Sequence, residues 1–391
     1  MYSLNSKKLE ITLTYPTDLV IIKSNIEKGG GHMKKRVLAM LLAAMMAVSL
    51  AGCGQEEGPA VPAVEPEPIE EPEPVPEPEP EVYVPSGMNP LTGEPMEPEE
   101  AGKRPVAVMF NNLKAAQPQL GVSQADIIYE VPAEGGITRM LGVYQSLDGV
   151  GNLGSIRSTR PYYLELALGH DALLVHAGGS PAAYQDIPAW GVDNMDGVNG
   201  GSDAKIFWRD KERRKTMDYE HTLVTSGQKV LDYAAGHFRT DHKEDYAYTQ
   251  AFAEDGTPAG TAAEQITVTF TKNKYKTGTF AYDRESRQYL ASQYGGPYTD
   301  GASGTQVGAV NVLVLKASMK VLDSAGRMSV DLSGGEGTYF CGGRAADIKW
   351  SKAGRNSQFV YTLTDGTPLT MSRGTSYVCI IDAKGGTLSY E

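Results

Sequence analysis

The apolar and polar positions of this chain change rhythm several times, and each change predicts a different kind of element. The run Pro-Val-Ala-Val-Met-Phe at 105–110 is short and almost wholly apolar, which predicts a buried strand. Residues 125–132 predict a second strand closed by proline, and 138–146 alternate as a third. Asn111-Asn112, the stretch 117–122 and Glu134-Gly-Gly read as loops and turns. Residues 161–168 suit a short helix with proline in its first turn, and 171–176 form another apolar strand. Ser180 can cap a helix opened by Pro181, and Thr225 or Ser226 can cap one over 228–235. Residues 237–262 are polar. From Gln265 the pattern turns to short alternating runs at 266–270, 278–283, 311–315, 359–363 and 376–381, punctuated by turns such as Asp365-Gly366. The expected class is α+β. A mixed α/β first domain at 88–240 and a connection at 241–262 lead to a smaller, mostly antiparallel β domain at 263–391.

The segment before these domains has its own pattern. Met33-Lys-Lys-Arg is followed by an apolar run too short to span a bilayer, ending in Leu50-Ala-Gly-Cys53. That order predicts a lipoprotein signal peptide at 33–52, cut before Cys53, whose thiol would then be diacylated. Two acyl chains anchor stably where one does not. Residues 1–32 do not fit that plan and are expected to precede the true start. Lys28-Gly-Gly-Gly-His-Met can be encoded by a purine-rich ribosome-binding stretch before the ATG. Residues 53–87 are expected to be the lipidated cysteine and a Glu/Pro-rich linker. Proline and mutual glutamate repulsion favour extended polyproline II, so this linker could reach on the order of 100 Å. The protein is thus expected outside the cell, held on the outer face of the membrane.

Charge refines this picture. The formal net charge is −12, but residues 54–100 hold fourteen glutamates and no basic residue. The acidity belongs to the tail and the folded part is near neutral, so nucleic-acid binding finds no support. No Walker loop, dinucleotide fingerprint or Gly-x-Ser-x-Gly elbow occurs, and no cofactor is expected. Neither His-Glu-x-x-His nor paired cysteine spacing is present, so no metal is expected. Cys341 and Cys379 are the only cysteines besides Cys53, and export would permit a bridge between them.

The candidate chemistry centres on Gly154-Ser-Ile-Arg-Ser-Thr-Arg-Pro161. Arg157, Ser158 and Arg160 precede a helix start, where free N–H groups and guanidinium forks suit a carboxylate or phosphate. Arg139 could join them. An equally open reading pairs the arginines with Glu130 and Glu134. His176 and His221 are candidate general bases, or hydrogen-bonded histidines at element ends.

Gln117-Pro118, Ala125-Asp126, Tyr129-Glu130, Glu134-Gly-Gly-Ile-Thr-Arg139, Gly154 to Pro161 and His221 occur in an order that resembles the YerB-like family of bacterial lipoproteins. The resemblance covers roughly 88–391. It implies two domains and an α+β fold, with no assigned reaction. Three function classes therefore stand open. One is a tethered protein that binds an anionic wall fragment or polymer. Another is an envelope hydrolase or transferase, with His176 or His221 as base, Glu130 or Glu134 as acid and the arginines as clamp. The last is a scaffold for another envelope protein.

Overall fold

The computed structural model describes residues 87–391 except 202, together with the backbone of an isolated antiparallel pair, Glu10–Thr14 with Leu19–Lys23. The expected start at Met33, the signal at 33–52, the lipidation site Cys53 and the Glu/Pro linker lie outside the described residues. Among the described residues no helix is long and apolar enough to cross a membrane.

Eleven strands build one mixed sheet through the middle of the 87–391 unit. In chain order they are β1 (Val106–Asn111), β2 (Ile127–Pro132), β3 (Thr138–Tyr144), β4 (Leu173–His176), β5 (Asn194–Asp196), β6 (Thr261–Ala262), β7 (Asn311–Ala317), β8 (Gly334–Cys341), β9 (Arg344–Ser351), β10 (Val360–Leu363) and β11 (Ser376–Asp382). Their spatial order is β6-β9-β8-β7-β11-β2-β3-β1-β4-β5, with β10 also against β9. Strands from both expected domains thus belong to a single sheet. They meet where β11 lies parallel to β2, with Ser376 opposite Ile127 and Cys379 opposite Glu130.

The central strands are apolar because both of their faces are covered. β1 alternates between the two cores: Val106, Val108 and Phe110 join one, Ala107 and Met109 the other. The second core holds the helices α1 (Pro161–Gly169) and α2 (Pro181–Trp190). The first holds α3 (Gly227–His237), a three-stranded sheet around Leu223–Ser226, and a six-stranded antiparallel sheet. That six-stranded sheet includes Gln265–Thr269, Thr277–Asp283, Gln288–Gln293 and Thr387–Tyr390. The α+β class holds.

Local signals act as expected at the helix starts. Pro161 opens α1, the Ser180 hydroxyl accepts from the Ala183 N–H at 3.1 Å, and the Ser226 hydroxyl accepts from Lys229. The polar stretch 237–262 carries more structure than a connection requires. Ala251–Ala253 pairs with Thr370–Ser372, and β6 edges the large sheet. β8 and β9 are additions to the expected strands. Three glycines at the start of β8 mask its alternation.

The cysteine bridge does not form. Cys341 and Cys379 are buried free thiols. β7 lies between their strands, and the two side chains enter opposite cores, so the sheet itself separates the sulfurs.

One ionic contact ties the two sequence halves together. Glu130 of β2 is buried, and its carboxylate accepts from Asn112 Nδ2 at 2.8 Å, Thr138 Oγ1 at 2.6 Å and the Tyr377 hydroxyl at 2.5 Å. Lys276 Nζ lies 3.4 Å away, itself buried, and donates to Gln293 Oε1. Burial pushes the Lys276 amine down and Glu130 pushes it back up.

Two outcomes are expected. Lys276→Met leaves a buried carboxylate without its cation and should cost about 3–5 kcal/mol in urea unfolding, with the Lys276→Met/Glu130→Gln double variant recovering part of the loss. The unreduced, denatured chain should take up alkylating reagent at both Cys341 and Cys379, read by mass spectrometry.

Candidate functional site

The loops that carry chemistry gather at one end of the large sheet. β1 ends at Asn111, β2 at Pro132, and β3 begins at Thr138. The 155–160 turn is stitched to the end of β1 and to the loop after β4. Arg157 N–H donates to the Met109 carbonyl, Ala177 N–H to the Arg157 carbonyl, and Thr159 N–H to the Gly178 carbonyl, all at 3.0 Å. Ile156 N–H donates to Leu223 O at 2.8 Å, which brings in the strand that follows His221.

Glu134 stands in a tight turn that needs left-handed backbone at Gly135 (φ +65°) and Gly136 (φ +83°). Its carboxylate takes two guanidinium groups, Arg160 Nε at 2.5 Å and Arg139 Nη1 at 2.9 Å. These two side chains are only 10% and 8% exposed, so two nearly buried cations share one carboxylate. Burial pushes the Glu134 carboxyl up. The Arg160 hydrogen bond and the Arg139 and Arg160 charges outweigh it and hold the group at about 2. Burial and the neighbouring Arg160 push Arg139 down against the pull of Glu134. Arg160 Nη1 also donates to the Thr159 carbonyl at 2.6 Å.

The remaining candidates separate from this cluster. Glu130 does not meet the arginines. It lies within the sheet, where Lys276 and Tyr377 reach it, whereas Glu134 lies beyond the strand end. Arg157 turns to Glu220 at 2.5 Å, a half-exposed contact. Ser158 is half-buried beside Gly178.

His221 Nδ1 lies 2.9 Å from Asn111 Nδ2. The Asn111 oxygen is already taken by the Leu113 N–H, so the amide donates and occupies the imidazole lone pair. Burial lowers the His221 pKa. His176 has no exposed surface. Its Nδ1 lies 2.9 Å from the Gly178 carbonyl and its Nε2 3.0 Å from Asn194 Oδ1, with Asp196 at 4.0 Å. Both ring nitrogens therefore face protein oxygens and neither faces solvent. The geometry provides no histidine with a free lone pair beside the arginines.

Unpartnered polar atoms collect in the same loops. Among the described residues, buried Asn112 Oδ1, Gln117 Nε2, Gln119 Oε1, Ser155 Oγ and Thr159 Oγ1 have no hydrogen-bond partner. Buried polar groups are normally satisfied by protein or water, so these atoms have bonding capacity open to water or a ligand. No cluster of metal-ligating side chains occurs among the described residues.

Sequence reasoning had not singled out Glu220, Lys276 or Tyr377 as partners. Glu220 adjoins His221 and was open to notice. Lys276 and Tyr377 arrive from the far half of the chain with no local signal.

Comparison with known proteins places the chain in a family. Two family models match: "Protein of unknown function (DUF3048) N-terminal domain" over residues 91–240, and its C-terminal counterpart over 266–378. The Bacillus subtilis protein named "Putative lipoprotein YerB" is 32% identical over 293 residues, 75% of this chain and 85% of that one. The crystal structure of the Bacillus subtilis YerB protein superposes with a TM-score of 0.66 at 29% identity, covering 77% of this chain and 99% of that one.

Glu134→Gln should unbalance the arginine pair and destabilise the fold by about 1–3 kcal/mol. Glu134 is held below its ordinary value of 4.5, so its stabilisation is complete above that pH and is lost as pH falls towards 2. Thermal melts from pH 7 to 2 should show this acid-side loss shrinking in the variant.

Proposed function

The chain belongs to the two-domain DUF3048 family, of which YerB is a member by similarity, and on that premise we propose that it is a lipid-anchored binding protein of the cell envelope whose ligand is anionic. The name of its Bacillus relative includes the word lipoprotein, which supports membrane anchoring. In this reading Cys53 carries the diacylglyceryl group on the outer face, and the Glu/Pro linker holds the folded unit away from the bilayer.

The observation that carries the ligand class is the pair of nearly buried guanidiniums on a single carboxylate. Two cations against one anion leave a local excess of positive charge in a setting of low dielectric. A carboxylate or phosphate group would balance it and could take the remaining N–H donors of the forks. The orphaned Ser155, Thr159 and Gln117 atoms nearby supply further hydrogen-bonding capacity. Binding is favoured over catalysis because both ring nitrogens of His176 face protein oxygens and His221 Nδ1 is taken by the Asn111 amide.

Calorimetric titration with inorganic phosphate tests the reading. Arg160→Gln should weaken binding at least tenfold, whereas Arg157→Gln, whose partner is the exposed Glu220, should weaken it far less. Phosphate affinity that is absent, or indifferent to Arg160→Gln, would remove the proposal. A Cys53→Ala chain should appear in the soluble fraction of producing cells, while the native chain partitions with membranes.

A further inference from the structure

A groove on the other half of the chain is tied through Asn273 to the turn that carries Glu134, the partner of the arginine pair. It holds about 510 Å³ over the outer face of the six-stranded sheet, where Thr277–Asp283 and Gln288–Gln293 run antiparallel. Thr277, Thr279 and Ser292 present hydroxyls there, and Thr279 and Ser292 are direct cross-strand neighbours. Tyr275 and Tyr294 supply aromatic surface, and Lys274 supplies one cation. Tyr275 is 53% exposed, so its ring is open to a ligand.

The walls of this groove are held in place from two sides. The Tyr294 hydroxyl donates to the Asn112 carbonyl at 2.6 Å, and its ring lies 4.6 Å from Lys276 Nζ. The Tyr294 backbone is left-handed (φ +55°), as is that of Lys274 (φ +55°). Neither is glycine, so both conformations carry strain that surrounding contacts must maintain. On the other side, Asn273 Nδ2 donates to the Gly135 carbonyl at 2.9 Å, while Asn273 Oδ1 accepts from Tyr275 N–H at 3.0 Å and Thr271 Oγ1 at 2.7 Å. Gly136 must lack a side chain because the Asn273 carboxamide occupies that space. The turn that carries Tyr275 is therefore pinned to the residue next to Glu134, the shared partner of Arg139 and Arg160.

Tyrosine faces interleaved with hydroxyls suit a ligand with apolar C–H faces and many hydroxyls. That is the chemistry of a sugar ring. The apolar surface comes from the tyrosine rings and Pro297 and is interleaved with hydroxyls, an alternation that suits a sugar ring better than a lipid chain. We propose that this groove is a sugar-binding subsite contiguous with the arginine pair, so that the ligand is an acidic glycan whose rings lie on Tyr275 and Tyr294 and whose acid group meets Arg139 and Arg160. The acidic part of this assignment rests on the anion-binding reading above, while the sugar part rests on the groove.

The full chain is titrated calorimetrically with three probes: inorganic phosphate, neutral tri-N-acetylchitotriose, and a hyaluronan hexasaccharide, which alternates uronic acid with N-acetylhexosamine. The hexasaccharide should bind at least tenfold more tightly than phosphate. Tyr275→Ala and the groove-filling Thr279→Trp should each weaken the hexasaccharide at least fivefold and leave phosphate unchanged. Arg160→Gln should weaken both. Both groove positions are exposed, so their thermal melts should match the parent; if Thr279→Trp melts early, Tyr275→Ala decides alone. Phosphate binding with no gain for the hexasaccharide, or a gain indifferent to Tyr275→Ala, overturns the sugar subsite and leaves the anion site standing. Chitotriose binding that depends on Tyr275, without phosphate binding, overturns the anion site and keeps the groove. Binding of none of the three overturns both.

Discussion

The parallel pairing of β2 with β11 is the constraint on which the rest of this structure depends. It joins residues near 130 to residues near 378, and the chain between them must be placed before that contact can close. Such long-range pairing costs loop entropy and returns nothing until both halves are present. The Glu130 site lies on this seam. A carboxylate buried there is unfavourable unless its partners arrive, and they come from four segments: Asn112 and Thr138 from its own half, Lys276 and Tyr377 from the other. The charge is satisfied only in the assembled unit, which makes it a device for specifying one arrangement of the halves.

The seam also explains the two glutamates. Glu130 and Glu134 are four residues apart, yet they have different partners. Glu130 sits on the strand, inside the unit, where Thr138 and Tyr377 of the same sheet, Asn112 and the incoming Lys276 reach it. Glu134 sits past the strand end, in a glycine turn that meets the arginine turn from α1. Their separate environments turn one carboxylate into an anchor between halves and the other into the counter-ion of an arginine pair.

Much of the fold was legible because its central strands are apolar on both faces and its helices open with Pro161, Ser180-Pro181 and Ser226, signals that act locally. β8 and β9 were harder to read. The glycines of β8 carry no side chains to show which face is buried, and the role of a strand in a sheet of this size depends on neighbours far away in sequence. The 237–262 stretch was read as a connection because its polar composition hides short edge strands. At the site, the arginine turn and Glu134 were visible as charge facing charge. The allocation was not: Arg160 and Arg139 share Glu134, Arg157 takes Glu220, and Glu130 takes Lys276.

By itself, then, the sequence carried the order of elements, a pattern expected of an exported lipoprotein ending at Cys53, a Glu/Pro-rich stretch and the charged turn at 154–161. Each is a local property of residue type and spacing. Only the tertiary structure decided that the two halves share one sheet, that Cys341 and Cys379 fall in opposite cores, and that both nitrogens of His176 and Nδ1 of His221 are bonded within the protein. It also decided that a turn of the tyrosine-lined groove from the second half hydrogen-bonds to the residue next to Glu134. Those outcomes depend on strand order and side-chain direction across hundreds of residues, and pairing at that range leaves no periodic trace in the chain.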